Sequence, residues 1–349
     1  MNKYYTRACN FYYGKTSSEK LKKKLSLPLN GNKLISFDTI EILKQGYSKK
    51  IHINDIRNIS PKLRNKITKD LTQIKKKKYF KNLNFSHIPI LMGIVNITPD
   101  SFSDGGKYNS FKKSLIHIKN LINSGCDIVD IGGESTRPGS KAVDEKIEWK
   151  RVSKTLKKIA KFKKFISIDT RKSYVMERSY KYNINLINDI SGLKYDNKTL
   201  SFLKKTKLPF VINHSKGLPE NMQKNPNYKN VLFDIYDYFE DRIKELRSYG
   251  INHNNIILDP GIGFGKNLKH NMILLKNVSI FHSLGFPLLI GNSRKKFIKD
   301  ISNMNDSPYR LGGTISSSLY LMLQGVQILR IHDINELKQA IKVFEKLNF

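Results

Sequence analysis

The stretch with the densest chemistry is residues 92–106, MGIVNITPDSFSDGG. Its apolar start, rich in Ile and Val, is typical of a buried strand, and a polar loop follows. Asn96, near the end of the strand, is either a hydrogen-bonded buried amide or a ligand group. In the loop, Asp104 is one of several oxygen-bearing side chains around Phe102, and two glycines at its end tolerate positive φ. This combination indicates a strand that delivers a functional loop.

The same stretch resembles the first signature of the dihydropteroate synthase family, which joins a pterin pyrophosphate to p-aminobenzoate in the folate pathway. The resemblance extends from about residue 89 to the C-terminus. It implies a TIM barrel that condenses 6-hydroxymethyl-7,8-dihydropterin pyrophosphate with p-aminobenzoate, releases pyrophosphate and uses Mg²⁺. It also implies a homodimer.

The elements that must position these residues alternate between strand and helix patterns after residue 86. We predict eight strands, at residues 90–97, 127–132, 165–169, 186–190, 210–214, 256–259, 288–291 and 328–332. Helical patterns, for example at residues 111–124, 144–161 and 231–249, separate them. Eight such units predict a TIM barrel. A doubly wound sheet is the alternative, but it would usually have fewer units and a glycine-rich phosphate loop, and the sequence contains no GxGxxG motif.

Polar residues follow all eight predicted strands, so in a barrel they would share the rim formed by the strands' carboxyl ends, where catalysis occurs. A pterin ring offers donors beside a carbonyl, which suit a buried carboxylate and a Lys. The resemblance assigns the pterin contacts to Asp169, Asn188, Asp259 and Lys295. Each Asp could instead cap a helix. Asp259 is set apart by the segment DPGIGFGK, whose glycines let backbone approach a ligand and whose Phe264 would wall the site.

An anion site is predicted from Arg and His. Arg330 and His332 are two residues apart on one strand, so their side chains point the same way, although a His there could be purely structural. Arg supplies planar bidentate donors for phosphate oxygens. The resemblance adds Thr136 and Arg137 to the pyrophosphate contacts, and it gives Asn96 both a pyrophosphate and an Mg²⁺ contact, since Mg²⁺ is often held by few protein oxygens.

Two loops, residues 99–106 and 135–140, are interpreted as covers ordered by substrate; the alternative is flexible surface loops. By family analogy Asp104 stabilises a pterin carbocation after pyrophosphate departs, with Lys295 and Arg137 as the other catalytic residues. Residues flanking the p-aminobenzoate would be Phe102, Pro138, Phe264 and Lys296. His214 could act as a base, but we favour a pocket wall, because an aniline that attacks a cation needs little base assistance.

The sequence departs from the family pattern at two positions. Lys296 stands where a Ser commonly contacts the benzoate carboxylate, so helix N-terminal amides or Lys296 itself would have to replace that contact. Ser215 stands where a Met commonly follows the fifth-strand His, which would loosen one wall of the pterin pocket.

The net charge of +34 is the main compositional oddity. Because Lys is abundant throughout and not focused on one segment, we interpret it as solvated surface and expect no nucleic-acid partner. Cys9 and Cys126 are too few for a disulfide framework or zinc site, so a cytoplasmic location is expected. No apolar run is long enough for a membrane span. The basic, acid-free first 18 residues leave a transit peptide open.

We predict a Lys-rich extension at residues 1–87 and the pterin-binding barrel at residues 88–349. In the extension we expect residues 1–33 to be loose, weak strands at 34–43 and 50–56, and an amphipathic helix at 60–81 that begins at Ser60 and Pro61 and covers the barrel. Two functional alternatives remain: a pterin-dependent methyltransferase barrel serving a corrinoid, and a non-catalytic binding barrel.

Overall fold

The computed structural model of the chain describes residues 3–78, 80, 83, 85, 88–98, 106–137, 139–217 and 219–348, with the side chains of residues 106–110 outside that description. Among these residues, no helix is long and apolar enough to cross a membrane. Cys9 and Cys126 are both free and buried.

The extension is an antiparallel sheet with helices. Its elements are β1 (Tyr5–Tyr13), α1 (Gly14–Lys22), β2 (Leu27–Leu29), β3 (Asn32–Lys44), β4 (Tyr47–His52), a 3₁₀ helix (Ile53–Asn58) and α2 (Pro61–Lys75). β3 is central, with β1 on one side and β2 and β4 on the other. The expectation that residues 1–33 are loose is wrong, because Ala8 and Leu29 of this stretch are buried in one apolar cluster with Ile67 and Ile74 of α2.

The predicted amphipathic helix is present but shorter than residues 60–81. It begins at Pro61, where the fixed φ of proline suits the first helical position. Ser60 is extended and its side chain makes no capping hydrogen bond. The helix ends at Lys75 because Lys76 turns to extended backbone.

Eight parallel strands in the described chain form the barrel. They are β5 (Ile90–Asn96), β6 (Ile128–Gly132), β7 (Phe165–Asp169), β8 (Leu186–Asp189), β9 (Phe210–Asn213), β10 (Ile256–Asp259), β11 (Leu289–Ile290) and β12 (Ile328–Ile331). Neighbouring strands pair in the order β10-β9-β8-β7-β6-β5-β12-β11. A single parallel bridge between Leu258 and Leu288 joins β10 to β11. The TIM-barrel prediction is confirmed.

Helices on the outside connect the strands. They are α3 (Gly106–Asn123), α4 (Glu145–Ile159), α5 (Ser173–Tyr180), α6 (Thr199–Thr206), α7 (Val231–Ser248), α8 (Leu268–Lys276), α9 (Lys296–Ser302), α10 (Leu311–Leu323) and α11 (Ile334–Asn348), with a 3₁₀ helix (Val278–Leu284) before β11.

The barrel interior changes from apolar to polar along the strands. Near the strand starts it holds one apolar cluster, closed by Phe80 and Phe85, whose strand residues are Ile90, Met92, Ile128, Leu186, Val211, Ile257, Leu289 and Ile328. Side chains two residues apart on a strand point the same way. The residue two positions after the apolar cluster therefore also faces inward, and on five of these strands it is polar. Four of these residues are buried, namely Asp130, Asn188, Asn213 and Asp259, and the fifth, Arg330, is partly buried. This switch in polarity creates the functional rim.

The extension packs on the outside of the barrel. The Tyr5 ring stacks on Phe233 of α7, with ring centroids 4.3 Å apart. His282, in the 3₁₀ helix before β11, donates from Nε2 to the Gln324 carbonyl at 2.8 Å, so its Nδ1 accepts from Asn30 of the extension at 3.3 Å. A stacked ring and a buried polar link thus hold the extension to the barrel.

Replacing Gly325 with Ala tests this docking. Gly325 has φ +74°, and a Cβ there would lie 2.2 Å from Cδ2 of Leu29 on the extension. Gly46, in the turn before β4, has φ +68° and open space around a Cβ. Gly46→Ala therefore carries the backbone strain alone, about 1 kcal/mol.

We expect Gly325→Ala to lower the free energy of unfolding by about 1–3 kcal/mol more than Gly46→Ala, because the new methyl group overpacks the contact with Leu29. Urea denaturation of the two full-length variants measures this difference. Equal losses in both variants would contradict the docked position of the extension.

Candidate functional site

Arg330 links three strands at the rim. Its Nε donates to Asp130 Oδ2 on β6 at 2.7 Å, and its Nη2 donates to Asp169 Oδ2 on β7 at 2.6 Å. Asn188, at the end of β8, donates to the same Asp130 oxygen at 3.1 Å. Both carboxylates are buried. Burial raises the pKa of Asp169, and the Arg330 charge opposes that rise. Arg330, predicted for the anion site, therefore binds Asp169, a predicted pterin residue.

A third acid at the rim is Asp259, the last residue of β10. Its Oδ1 accepts from the Gly261 N–H at 2.8 Å, and its Oδ2 accepts from Asn213 at 3.1 Å. Gly261 has φ +69°, and a Cβ there would lie 2.1 Å from the His214 carbonyl oxygen, so only glycine fits the turn. One donor in its own loop and one on the neighbouring strand thus fix the orientation of the carboxylate.

Lys295 and Phe264 complete the side of the site nearest Asp259. The Lys295 ammonium lies 4.2 Å from the centroid of the Phe264 ring, a cation–π distance. Phe264 packs with Ile190 and Met222 in a small apolar cluster. Burial and the Arg330 charge lower the pKa of Lys295 to about 8, although Asp259 and Asp169 oppose the shift. The predicted pterin residues therefore come together around one apolar wall.

His332 lies where four cationic side chains converge. Burial, together with the charges of Arg294, Arg330, Lys295 and Arg137, lowers its pKa to about 3. The Ser293 hydroxyl accepts from the His332 backbone N–H at 3.2 Å and lies 3.0 Å from Nδ1. If the hydroxyl proton points to Nδ1, the neutral ring carries its proton on Nε2. Arg294 is paired with Asp333, and Arg330 with the two aspartates described above, so part of this positive charge is balanced within the protein. The remaining positive charge and this N–H suit a multiply charged anion.

Other predicted residues lie at the edge of this arrangement. Thr136 is half-buried and Arg137 exposed, in the segment after β6, while Asn96 is half-buried at the end of β5. Lys296 is not brought to the others: its side chain is 72% exposed and pairs with Asp300 at 2.6 Å along α9.

Three predicted residues, Asp104, Phe102 and Pro138, lie outside the described residues, as does most of the loop at residues 99–106. Their predicted roles stay predictions.

Sequence reasoning missed two buried residues of the site, Asp130 and Lys266. Asp130 is a charge inside the strand IVDIG, two residues before its end, which was a usable signal. Lys266 donates to His214 Nδ1 at 3.1 Å and to the Phe264 carbonyl at 2.8 Å. Burial lowers the pKa of Lys266 to about 7. Lys266 therefore joins the loops after β9 and β10, and His214 is engaged as part of the wall.

Anion binding should change the protonation of His332. We expect saturating inorganic pyrophosphate to raise the pKa of His332 by about 1 or more, because opposite charge within a few ångströms favours the protonated ring. Ring ¹⁵N shifts measured from about pH 2 to 7 would report it. His282 is the matched control, since burial also lowers its pKa to about 3 but it lies at the contact with the extension. A pKa that pyrophosphate raises equally in both histidines, or in neither, would contradict the anion site.

Comparison with known proteins agrees with this geometry. Residues 92–332 match the family model described as pterin binding enzyme. The chain is 41% identical to dihydropteroate synthase of Escherichia coli strain K12 over 265 residues, which is 76% of this chain and 93% of that relative. It is 38% identical to dihydropteroate synthase of Bacillus subtilis over 266 residues, or 76% of this chain and 90% of that relative.

Solved structures give the same answer. Yersinia pestis dihydropteroate synthase, in a sulfonamide drug complex, is 39% identical with a TM-score of 0.71, over 76% of this chain and 95% of that one. The Xanthomonas albilineans enzyme, with 4-aminobenzoic acid, is 33% identical with a TM-score of 0.71, over 76% of this chain and 94% of that one. The chain therefore belongs to the pterin-binding enzyme family, among its dihydropteroate synthases.

Proposed function

We propose that this chain transfers the 7,8-dihydropterin-6-ylmethyl group from its pyrophosphate ester to the amine of p-aminobenzoate, forming 7,8-dihydropteroate and pyrophosphate. The observation that carries the proposal is the division of one rim into two adjoining parts. One part presents buried carboxylates beside an apolar wall, and the other presents four cations around His332. A substrate with a polar aromatic ring at one end and a multiply charged anion at the other matches both.

The pterin ring binds among Asp169, Asn188, Asp259 and Lys295. Carboxylates accept from the amino and ring N–H groups, and the Lys295 ammonium donates to the carbonyl oxygen. Phe264 supports one face of the ring. Asp259 is suited to this task because its two oxygens are already oriented by Gly261 and Asn213.

Pyrophosphate departs first in this proposal. The exocyclic C–O bond breaks, its electron pair leaves with pyrophosphate, and the resulting cation is delocalised into the pterin. The leaving group is stabilised by Arg137, Thr136, Arg330 and His332. Asp104 would stabilise the cation, and Lys295 would hold the ring carbonyl. The p-aminobenzoate nitrogen then attacks the methylene carbon and loses one proton to solvent.

The p-aminobenzoate lies above the pterin methylene, between Phe264 and the loops that carry Phe102 and Pro138. Its carboxylate would meet Lys296 only if that side chain left Asp300, its partner along α9. Sulfonamides imitate this substrate, so these residues are also where drug sensitivity would be set.

The site suits a Mg²⁺ ion that arrives with the substrate. Among the described residues, no group of three or more His, Cys, Asp or Glu side chains could hold a metal. Mg²⁺ commonly keeps several waters and binds one or two protein oxygens together with substrate phosphates. Asn96, half-buried at the rim end of β5, offers one such amide oxygen. When bound there, the ion would neutralise charge on the departing pyrophosphate.

The proposed assembly is a homodimer in the cytoplasm, with small molecules and no nucleic acid as ligands. An apolar cavity of about 360 Å³ opens between α8, α9 and α10 and is lined by Phe297, Ile301 and Tyr320. Ile301 is 57% exposed, and such a patch supports a second copy as its cover. In this proposal residues 88–349 form the catalytic barrel and residues 1–87 support it.

The methyltransferase alternative explains less of the site. A methyltransferase barrel would share the acids that face the pterin. It would have no use for the cations that surround His332, because its methyl transfer releases no pyrophosphate. The cluster of Arg294, Arg330, Lys295 and Arg137 therefore favours the synthase.

Pyrophosphate release from dihydropterin pyrophosphate, with and without p-aminobenzoate, tests the activity. We expect release that requires p-aminobenzoate. The double variant Asp169→Ala/Lys295→Ala should lose at least about 100-fold in kcat/KM, because two of the four polar residues around the ring are gone.

The matched control is Asp241→Ala/Lys244→Ala, which removes an exposed Asp and Lys of α7 that pair at 3.7 Å. It should keep full activity. Full activity in the rim variant would contradict the assigned pocket. Absence of release from the unaltered chain, with pterin binding intact, would instead support a non-catalytic barrel.

Pterin affinity should also depend on pH through Lys295. Its pKa of about 8 lies below the ordinary value of 10.5, so the ammonium loses its proton, and its hydrogen bond to the ring carbonyl, as pH rises through 8. We expect calorimetric affinity for 6-hydroxymethylpterin to fall between pH 7 and 9. In Lys295→Arg that fall should be absent, because guanidinium stays charged. An equal fall in both proteins would rule out Lys295 as the titrating group.

A further inference from the structure

A cluster of four buried charged side chains lies beside the site and has no role in the reaction above. The four side chains are at most 6% exposed and belong to Glu134, Glu148, Arg171 and Lys172. Glu134 accepts from Arg171 Nε at 2.9 Å and from Lys172 Nζ at 2.9 Å, and Lys172 also reaches Glu148 at 2.5 Å. Two acids and two bases balance each other. Burying four charges is costly, so their position needs a reason.

Glu134 differs from Glu148 in what else it holds. Its Oε1 accepts from the backbone N–H of Val143 at 2.8 Å. Residue 134 directly precedes the segment 135–142, and Val143 directly follows it. One carboxylate therefore ties together both ends of this segment, which contains Thr136 and Arg137.

The segment is also fastened along its length. The Ser140 hydroxyl donates to the Ser135 carbonyl at 2.6 Å. The Ala142 N–H donates to Glu220 at 3.1 Å, and the Gly139 N–H donates to the Pro219 carbonyl at 2.9 Å. Pro219 and Glu220 lie between β9 and Met222, which packs against Phe264. The segment thus has defined positions at both ends and near its tip.

The other half of the cluster belongs to the strand that carries a pterin residue. Arg171 and Lys172 follow Asp169 and Thr170 at the end of β7. The guanidinium of Arg171 lies 4.0 Å from the centroid of the Tyr195 ring, which restricts it further. Burial favours the neutral form of Glu134, but hydrogen bonds from Arg171, Val143 and Lys172 prevail and lower its pKa. The carboxylate stays charged and keeps its hold on both partners.

We infer that Glu134 is a positioning residue, which fixes segment 135–142 relative to Asp169 so that Thr136 and Arg137 face the pyrophosphate while the pterin is bound. This inference rests on the proposed function. The end of β7 then fixes the positions of the residues that bind both ends of the substrate. A small displacement of Arg137 would weaken its contact with the leaving group without altering the pterin pocket.

Glu134→Gln tests the inference against Glu148→Gln. Both variants remove one buried charge from the same cluster, but Glu148 is on α4 and does not bind segment 135–142. The readouts are calorimetric dissociation constants for inorganic pyrophosphate and for 6-hydroxymethylpterin, with the melting temperature of each full-length variant. We expect Glu134→Gln to weaken pyrophosphate binding about 10-fold or more, since a displaced charged hydrogen bond is worth roughly that factor. Pterin binding should weaken less than about 2-fold. Glu148→Gln should lower the melting temperature without that selectivity.

Equal effects of the two variants on pyrophosphate, or an equal loss of both ligands in Glu134→Gln, would overturn the inference. If Glu134→Gln does not fold, Arg171→Lys serves instead. Arg171 donates to Glu134 from Nη2 at 3.3 Å as well as from Nε, and Lys keeps the charge but cannot make this bidentate pair. It should weaken pyrophosphate binding but not pterin binding, and an equal loss of affinity for both ligands would count against the inference. Failure of the unaltered chain to release pyrophosphate would disprove the proposed function, whereas an active chain without this selectivity would disprove only the role of Glu134.

Discussion

The Arg330 guanidinium is held between Asp130 and Asp169, inside a barrel that is otherwise apolar below them. Charges this far from water require close partners, and removal of one partner from a buried pair typically costs about 3–5 kcal/mol. The ion triad joins β12 to β6 and β7 across the interior. It therefore constrains where the carboxyl ends of three strands lie, and with them the residues that face the substrate.

The same triad explains how one rim can hold acids and cations side by side. Burial and the Arg330 charge lower the pKa of Lys295, and Asp259 and Asp169 oppose the shift, so the pKa is about 8. Burial first, and then the surrounding positive charges, lower the pKa of His332 and keep its ring neutral. The polarity of the site thus changes over the width of a few strands, as a substrate with an aromatic ring and a pyrophosphate requires.

Much of this was accessible from the sequence, because strand ends in a barrel share a rim. Eight apolar runs and the motifs after them predicted the rim positions of Asp169, Asn188, Asp259 and Lys295. Asp130 was missed because it stands inside a strand, and its partner Arg330 is 200 residues away. Such a pairing is decided by barrel closure, which no local pattern reports. Lys296 was predicted from the family pattern, in which a Ser at this position often contacts the benzoate carboxylate. In the structure its ammonium pairs with Asp300 along α9, and its role toward p-aminobenzoate stays a prediction.

The order of the extension was hidden for a related reason. The segment YTRACNFYY contains good strand formers, but Asn10 interrupts the pairing of β1 with β3, adopting φ 51° and donating to Asp38 at 2.7 Å. Ala8 of this segment becomes buried only when β3 and α2 cover β1. Tertiary packing, rather than propensity, makes this part of the chain a sheet.

The most direct test of the account is the dissociation constant of 6-hydroxymethylpterin for Asp130→Asn, measured beside Asp127→Asn. Asp130 is fully buried, whereas Asp127 accepts from the Leu91 N–H at the opposite end of the same strand. If the Arg330 triad sets the rim, Asp130→Asn weakens pterin binding about 10-fold or more, because Arg330 shifts towards Asp169 and competes for it. Unchanged pterin affinity in a folded Asp130→Asn protein would contradict the central role of the triad.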